Sequence, residues 1–133
     1  MFPTAGPTVR AGPWPRFLLA EDLDELVATD DAPVTGTRLL GPFDLYLQLH
    51  DRALLVPVDA HRKDLWRSLG RPGAILHEGE IVGTWRARAK KTSLAVAATA
   101  WTTLRAPARD VVEVRAERLA HHRGVACTEI DGD

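Results

Sequence analysis

Between Gly73 and Trp101 the chain reads GAILHEGEIVGTWRARAKKTSLAVAATAW, and this stretch restricts the fold more than any other. Ala74–His77 is short and apolar, and Glu78-Gly79 is a turn signal. Glu80–Arg88 alternates, with Ile81, Gly83, Trp85 and Ala87 on one face and Glu80, Val82, Thr84, Arg86 and Arg88 on the other. Ala89-Lys90-Lys91 is polar enough to turn, and Thr92–Ala100 resumes the alternation with Leu94, Val96 and Ala98 on one side. A period of two sends successive side chains to opposite faces of a pleated strand, so the stretch predicts a three-stranded antiparallel meander with one buried face. Three strands need a cover, and the flanking segments must supply it.

Two flanking segments have helical patterning. Asp59 is placed to cap Ala60–Leu69, where Leu65, Trp66 and Leu69 form the apolar stripe, with Gly70 and Pro72 to stop it. Pro107 suits a first helical turn, and Ala108–His122 follows with Ala108, Val111, Val112, Arg115 and Leu119 toward the sheet and Gly124 as terminator. Upstream, Thr37–Leu40 reads as a brief strand. Leu45, Leu47 and Leu49 alternate as a second strand would, with a helical turn as the alternative. Asp44 is expected to cap the turn after Gly41-Pro42. The predicted fold is therefore α+β: a small, mostly antiparallel sheet, open or curled toward a barrel, with helices at 60–69 and 106–122 packed on it.

The ends of the chain read differently. Residues 1–16 carry four of the nine prolines and no periodicity, which predicts extended or disordered chain. Leu19–Ala28 is a short amphipathic helix, its stripe formed by Leu19, Leu23, Leu26 and Val27. Val125–Asp133 is expected to be a loose acidic tail. The expected divisions are 1–36, 37–124 and 125–133.

Charge sharpens the functional reading. The whole chain sums to −1, too little to steer a polyanion. Its distribution is uneven: residues 1–36 hold two basic and six acidic side chains, whereas residues 61–91 hold eight basic and three acidic. Arg86, Arg88, Lys90 and Lys91 surround the tip of the predicted hairpin, and Arg62, Lys63 and Arg67 lie on the polar face of the preceding helix. Cations at a hairpin tip can follow a phosphate backbone, though they also discourage edge-to-edge association. The single cysteine, Cys127, excludes an internal disulfide and fits a reducing compartment. No apolar run reaches the roughly 20 residues that span a bilayer, and no signal-peptide layout is present, so a cytoplasmic protein is expected.

Enzyme signatures are missing. There is no G-x-x-x-x-G-K, G-x-G-x-x-G or G-x-S-x-G, and no metal-ligand spacing. His121 and His122 are adjacent, so they point about 100° apart on a helix and suit the helix C-terminus better than a shared metal. Cys127 lacks an orienting partner for a nucleophile. No cofactor, metal or catalytic residue is predicted.

Three blocks in order carry a family resemblance: RLLGPFDLYLQLHDR (38–52), LLVPVDAHRKDLW (54–66) and ILHEGEIVGTWRARAKKTSLAV (75–96). They resemble the C-terminal part of the winged-helix DNA-binding proteins that include crosslink-repair DNA glycosylases of the AlkZ/YcaQ type. The apolar pair Leu39-Leu40, the turn Pro42-Phe43-Asp44, Asp51-Arg52 and the run Gly79–Arg86 carry the likeness. The resemblance implies DNA as partner and tandem winged-helix units upstream, with Leu19–Ala28 as the end of the last unit and the proline-rich leader as a broken junction. The family's catalytic Gln-apolar-Gln signature lies near the N-terminus of its members. Gln48-Leu49-His50 mimics it in the wrong block, so no catalytic role carries over. The reading is a non-catalytic, truncated DNA-binding accessory module of DNA repair. The alternative is a protein-interaction domain that oligomerises or docks on a separate winged-helix partner.

Overall fold

The computed structural model describes the backbone at residues 8–10, 15–29 and 33–132, and side chains at 15–29 and 33–126. The chain forms two compact units, residues 1–33 and 34–133. In the first, β1 (Thr8–Arg10) and β2 (Pro15–Phe17) pair antiparallel, with Val9 opposite Arg16. A 3₁₀ turn at Ala20–Asp22 leads into α1 (Leu23–Ala28). The helix is shorter than its apolar stripe predicted. Leu19 stays extended, no side chain caps the start, and six residues leave little helix beyond the nucleating turn. Leu19, Leu26 and Val27 are exposed.

The second unit is built on a five-stranded sheet. β3 (Thr37–Leu40), β4 (Gly73–His77), β5 (Glu80–Ala89) and β6 (Ser93–Ala100) are successive antiparallel neighbours. The sheet is open rather than closed into a barrel, with β3 at one edge. At the other edge lies β7 (Ala126–Gly132), parallel to β6. Residues expected as a loose tail are thus a sheet strand. Parallel pairing needs a crossover, and α4 (Ala106–His122) provides it. The helix ends in a Schellman motif: Gly124 adopts φ +70°, its N–H bonds to the His121 carbonyl, and the Val125 N–H bonds to the Ala120 carbonyl. Val125 then packs into the core.

Both faces of the sheet are covered. On one, Ile75, Val82, Trp85, Leu94 and Val96 meet Val112, Ala116 and Ala120 of α4. Small residues at four-residue spacing let the helix sit close to the strands, a signal that the larger Val111, Arg115 and Leu119 obscured in the sequence; these three are half-buried. On the other face, Ala74 and Ile81 meet Leu47, Val56 and Leu65. Each fully buried Leu or Ile contributes roughly 1.5–3 kcal/mol, so this second, smaller cluster is a real core.

A β-bulge explains how one strand serves both layers. Ile75 pairs with Gly83 and Leu76 with Ile81, so Val82 is an extra residue in β5. The insertion reverses the parity of the strand: Ile81 faces the α3 side and Trp85 the α4 side, where uninterrupted alternation predicted one shared face. The preceding hairpin turns at Glu78 and Gly79 with φ of +49° and +83°, the signature of a two-residue primed turn.

The second layer consists of short pieces. Leu45–Gln48 is a 3₁₀ turn, not a strand: the Asp44 carboxylate accepts from the Tyr46 N–H at 2.9 Å, and local capping overrides the Leu alternation. Leu47 alone of the three leucines is buried, and Leu45 is 84% exposed. After α2 (Arg52–Leu55) comes α3 (Asp59–Leu65). It stops four residues before the predicted end, because Trp66 leaves helical geometry and its indole N–H donates to the Leu47 carbonyl at 2.9 Å. Leu69 is consequently 89% exposed, not part of a buried stripe. Asp59 lies inside the first turn instead of capping it.

Candidate nucleic-acid interface

β4 ends its pairing with β5 at Gly73 opposite Trp85, while β5 continues to Ala89 with β6 alone. Beyond β4 the sheet therefore continues as a three-stranded arm of β5, β6 and β7. The β5–β6 turn is closed by the Lys90 N–H donating to the Ser93 carbonyl at 2.8 Å. Arg86 stands opposite Ala97 and Arg88 opposite Ala95, so two guanidinium groups share a face with methyl groups beside them. These residues and Lys90 line an open groove of about 490 Å³. Lys91 is exposed at the tip. Among the described residues, no carboxylate lines this groove.

The three helix cations stand elsewhere and are occupied. Arg62 donates to the carbonyls of Val56 and Pro57, and its second terminal nitrogen lies 3.3 Å from Asp59. It closes the α2–α3 connection. Lys63 pairs with Asp59 at 2.7 Å and Arg67 with Asp64 at 2.6 Å. The Asp59 carboxyl is held below its ordinary value of 3.8, first by its hydrogen bond to Lys63 and then by the Lys63 charge, against an opposing effect of desolvation and with lesser help from Arg62. The sequence grouped seven cations; the fold sets Arg86, Arg88, Lys90 and Lys91 on one arm and gives Arg62, Lys63 and Arg67 intrahelical or loop partners.

Two arginines outside the predicted site join the arm at its root. Arg71 and Arg123 line a recess of about 220 Å³ together with Arg86. Nothing in their sequence spacing could reveal this, because one follows α3 and the other ends α4.

The remaining candidates do not assemble a reaction centre. Gln48 and His50 are exposed on and beside the 3₁₀ turn, and His121 and His122 are exposed on the last turn of α4. No group of three His, Cys, Asp or Glu side chains converges among the described residues. The Cys127 side chain lies outside them. No helix among the described residues is long and apolar enough to cross a membrane.

Together these residues make an open α+β sheet with a basic arm at one end. The DNA glycosylase AlkZ-like family matches residues 7–122, most of the chain, and the chain belongs to that family. A Streptomyces sahachiroi protein described as an interstrand DNA cross-link repair glycosylase is 41% identical over 73 residues, which are 52% of this chain and 19% of the relative. The solved structure of Streptomyces sahachiroi DNA glycosylase AlkZ superposes with a TM-score of 0.65 at 31% identity, over 90% of this chain and 31% of that one. The chain thus spans between a fifth and a third of the relatives it matches.

Proposed function

We propose that this domain is a non-catalytic DNA-binding accessory module, and that Arg86, Arg88, Lys90 and Lys91 contact backbone phosphates without reading bases. The observation that supports the reading is the groove along β5 and β6 that Arg86, Arg88 and Lys90 line together. The glycosidic chemistry stated in the relatives' names belongs, on this reading, to other parts of the family architecture, and residues 1–36 close an upstream winged-helix unit. The expected site of action is cytoplasmic DNA.

Binding of a fluorescent duplex across a salt series tests this. With four phosphate contacts, log K falls with log salt at a slope of about −3.6, so affinity drops roughly 150-fold between 50 and 200 mM salt. The Arg88→Ala/Lys91→Ala variant should show a slope near −1.8 and a drop of about 12-fold, equally for all sequences. An unchanged slope refutes the assignment.

The second reading, a domain that docks on a protein partner or on itself, draws on the exposed apolar side chains of the α2–α3 layer: Phe43, Leu45, Leu54 and Leu69. A stable dimer on a sizing column, indifferent to duplex, favours it.

A further inference from the structure

We infer that the recess at the root of the arm is a second phosphate subsite, held by Arg71, Arg86 and Arg123, which takes a phosphodiester of the same DNA strand that lies along the hairpin. The inference rests on the reading of the domain as a DNA-binding module. It adds two residues that neither the sequence pattern nor the hairpin includes.

Where β4 begins, Arg71 arrives from the loop before it, Arg86 follows directly after Trp85 on β5, and Arg123 caps α4. All three line one space of about 220 Å³, whose other walls include Pro42, Trp85 and Ala87. None of the lining residues is acidic, and no ion pair reaches any of the three arginines among the described residues. Three guanidinium groups gathered in one recess repel one another, and an anion between them removes that repulsion.

Two of the three are also held in place. The Arg86 guanidinium donates to the Gly70 carbonyl, which leaves its other N–H groups to the recess. The Arg71 guanidinium lies 5.6 Å from the centre of the Phe43 ring, and its Nε–H reaches toward the Arg67 carbonyl at 3.5 Å. Fixed forks of this kind match phosphate oxygens in pairs and lose less entropy on binding than free side chains do. A favourable interaction with the helix dipole would account for Arg123 alone at the end of α4, but not for Arg71 and Arg86 meeting it. Arg86 lines both the recess and the groove, which places the two side by side.

Two single variants test the subsite, Arg123→Ala and Arg71→Ala, with thermal unfolding as the check that each folds. The probe is a duplex without terminal phosphates, so only internal phosphodiesters can respond. Each variant should weaken duplex binding and lower the salt slope for all sequences alike, by about 0.9 when the two are combined and the one phosphate is released. If Arg88→Ala lowers the slope while Arg123→Ala and Arg71→Ala both leave it unchanged, the subsite is overturned and the hairpin reading stands. If the unaltered protein ignores duplex, the hairpin reading falls, and inorganic phosphate decides the recess separately. Side-chain Nε–H resonances of Arg71 and Arg123 that shift together on phosphate titration, and fail to shift at Arg71 in Arg123→Ala, support an anion site there. Resonances that do not move overturn it.

Discussion

Substituting Gly73 by Ala is the sharpest test of how the fold aims the basic arm. Gly73 sits in β4 directly opposite Trp85 of β5, and the indole N–H crosses it to donate to the Leu40 carbonyl of β3 at 2.8 Å. A Cβ on residue 73 would stand 2.3 Å from both the Leu40 oxygen and the indole nitrogen, and 2.6 Å from Cε2. Ordinary contact begins near 3.4 Å, so the ring or a strand must move by about 1 Å. Trp85 is only 8% exposed and cannot swing outward without emptying the core. Breaking the bond leaves a buried donor and acceptor at about 1–3 kcal/mol, and overpacking adds about 1–3 kcal/mol, for roughly 4 kcal/mol in all. That is a large part of the 5–15 kcal/mol or so that stabilises a typical domain. Urea unfolding followed by circular dichroism measures it. In a Trp85→Leu background the ring and its hydrogen bond are gone and only the Leu40 oxygen still obstructs, so the same Gly73→Ala change should cost about 2 kcal/mol, the overpacking part alone. Equal costs in the two backgrounds, within the ~0.5 kcal/mol of simple additivity, would refute the claim that Gly73 is there to let the indole pass.

Three further outcomes follow from the contacts described. Arg62→Ala should destabilise by about 2–3 kcal/mol, because charge-assisted bonds to two carbonyls are lost, whereas Lys63→Ala, an exposed helix pair, should stay under about 1 kcal/mol; unfolding midpoints compare them. Asp59, with a folded pKa below its ordinary 3.8, contributes its pairing in full above that pH and loses it as pH falls through the lower folded value. Lys63→Ala should return the Asp59 titration toward 3.8, followed by carbon-13 NMR of the carboxyl, and an unmoved midpoint contradicts the attribution to Lys63. Ala116→Leu, at a fully buried position under α4, should cost about 1–3 kcal/mol by overpacking, while Ala106→Leu at the exposed helix start stays within about 0.5 kcal/mol, both read by thermal melts.

Legibility in the sequence followed the range of the interaction involved. The meander, β3 and the long helix rest on local alternation and helical periodicity, and each appeared within a residue or two of its predicted bounds. The family was legible because its blocks occur in order, and the matching family covers them. Errors arose where a distant partner decided. The end of α3 depends on Trp66 reaching Leu47, and β7 depends on an edge of β6 that only α4 makes reachable. Local chemistry also misled once, when the alternating leucines of Leu45–Leu49 were outweighed by one Asp44 cap. At the basic site, sequence adjacency correctly placed the hairpin cations together. It could not show that Arg62 is consumed by carbonyls, or that Arg71 and Arg123 arrive at the same place from separate elements.

The inserted residue Val82 has an evolutionary reading as well. Substitutions along β5 change one contact at a time and can be absorbed by neighbouring side chains. Removing Val82 would instead turn half the strand over, sending either Ile81 or Trp85 to the wrong layer and re-aiming every cation beyond it. Descendants of this domain are thus free to drift in letters along the strand while its length stays frozen.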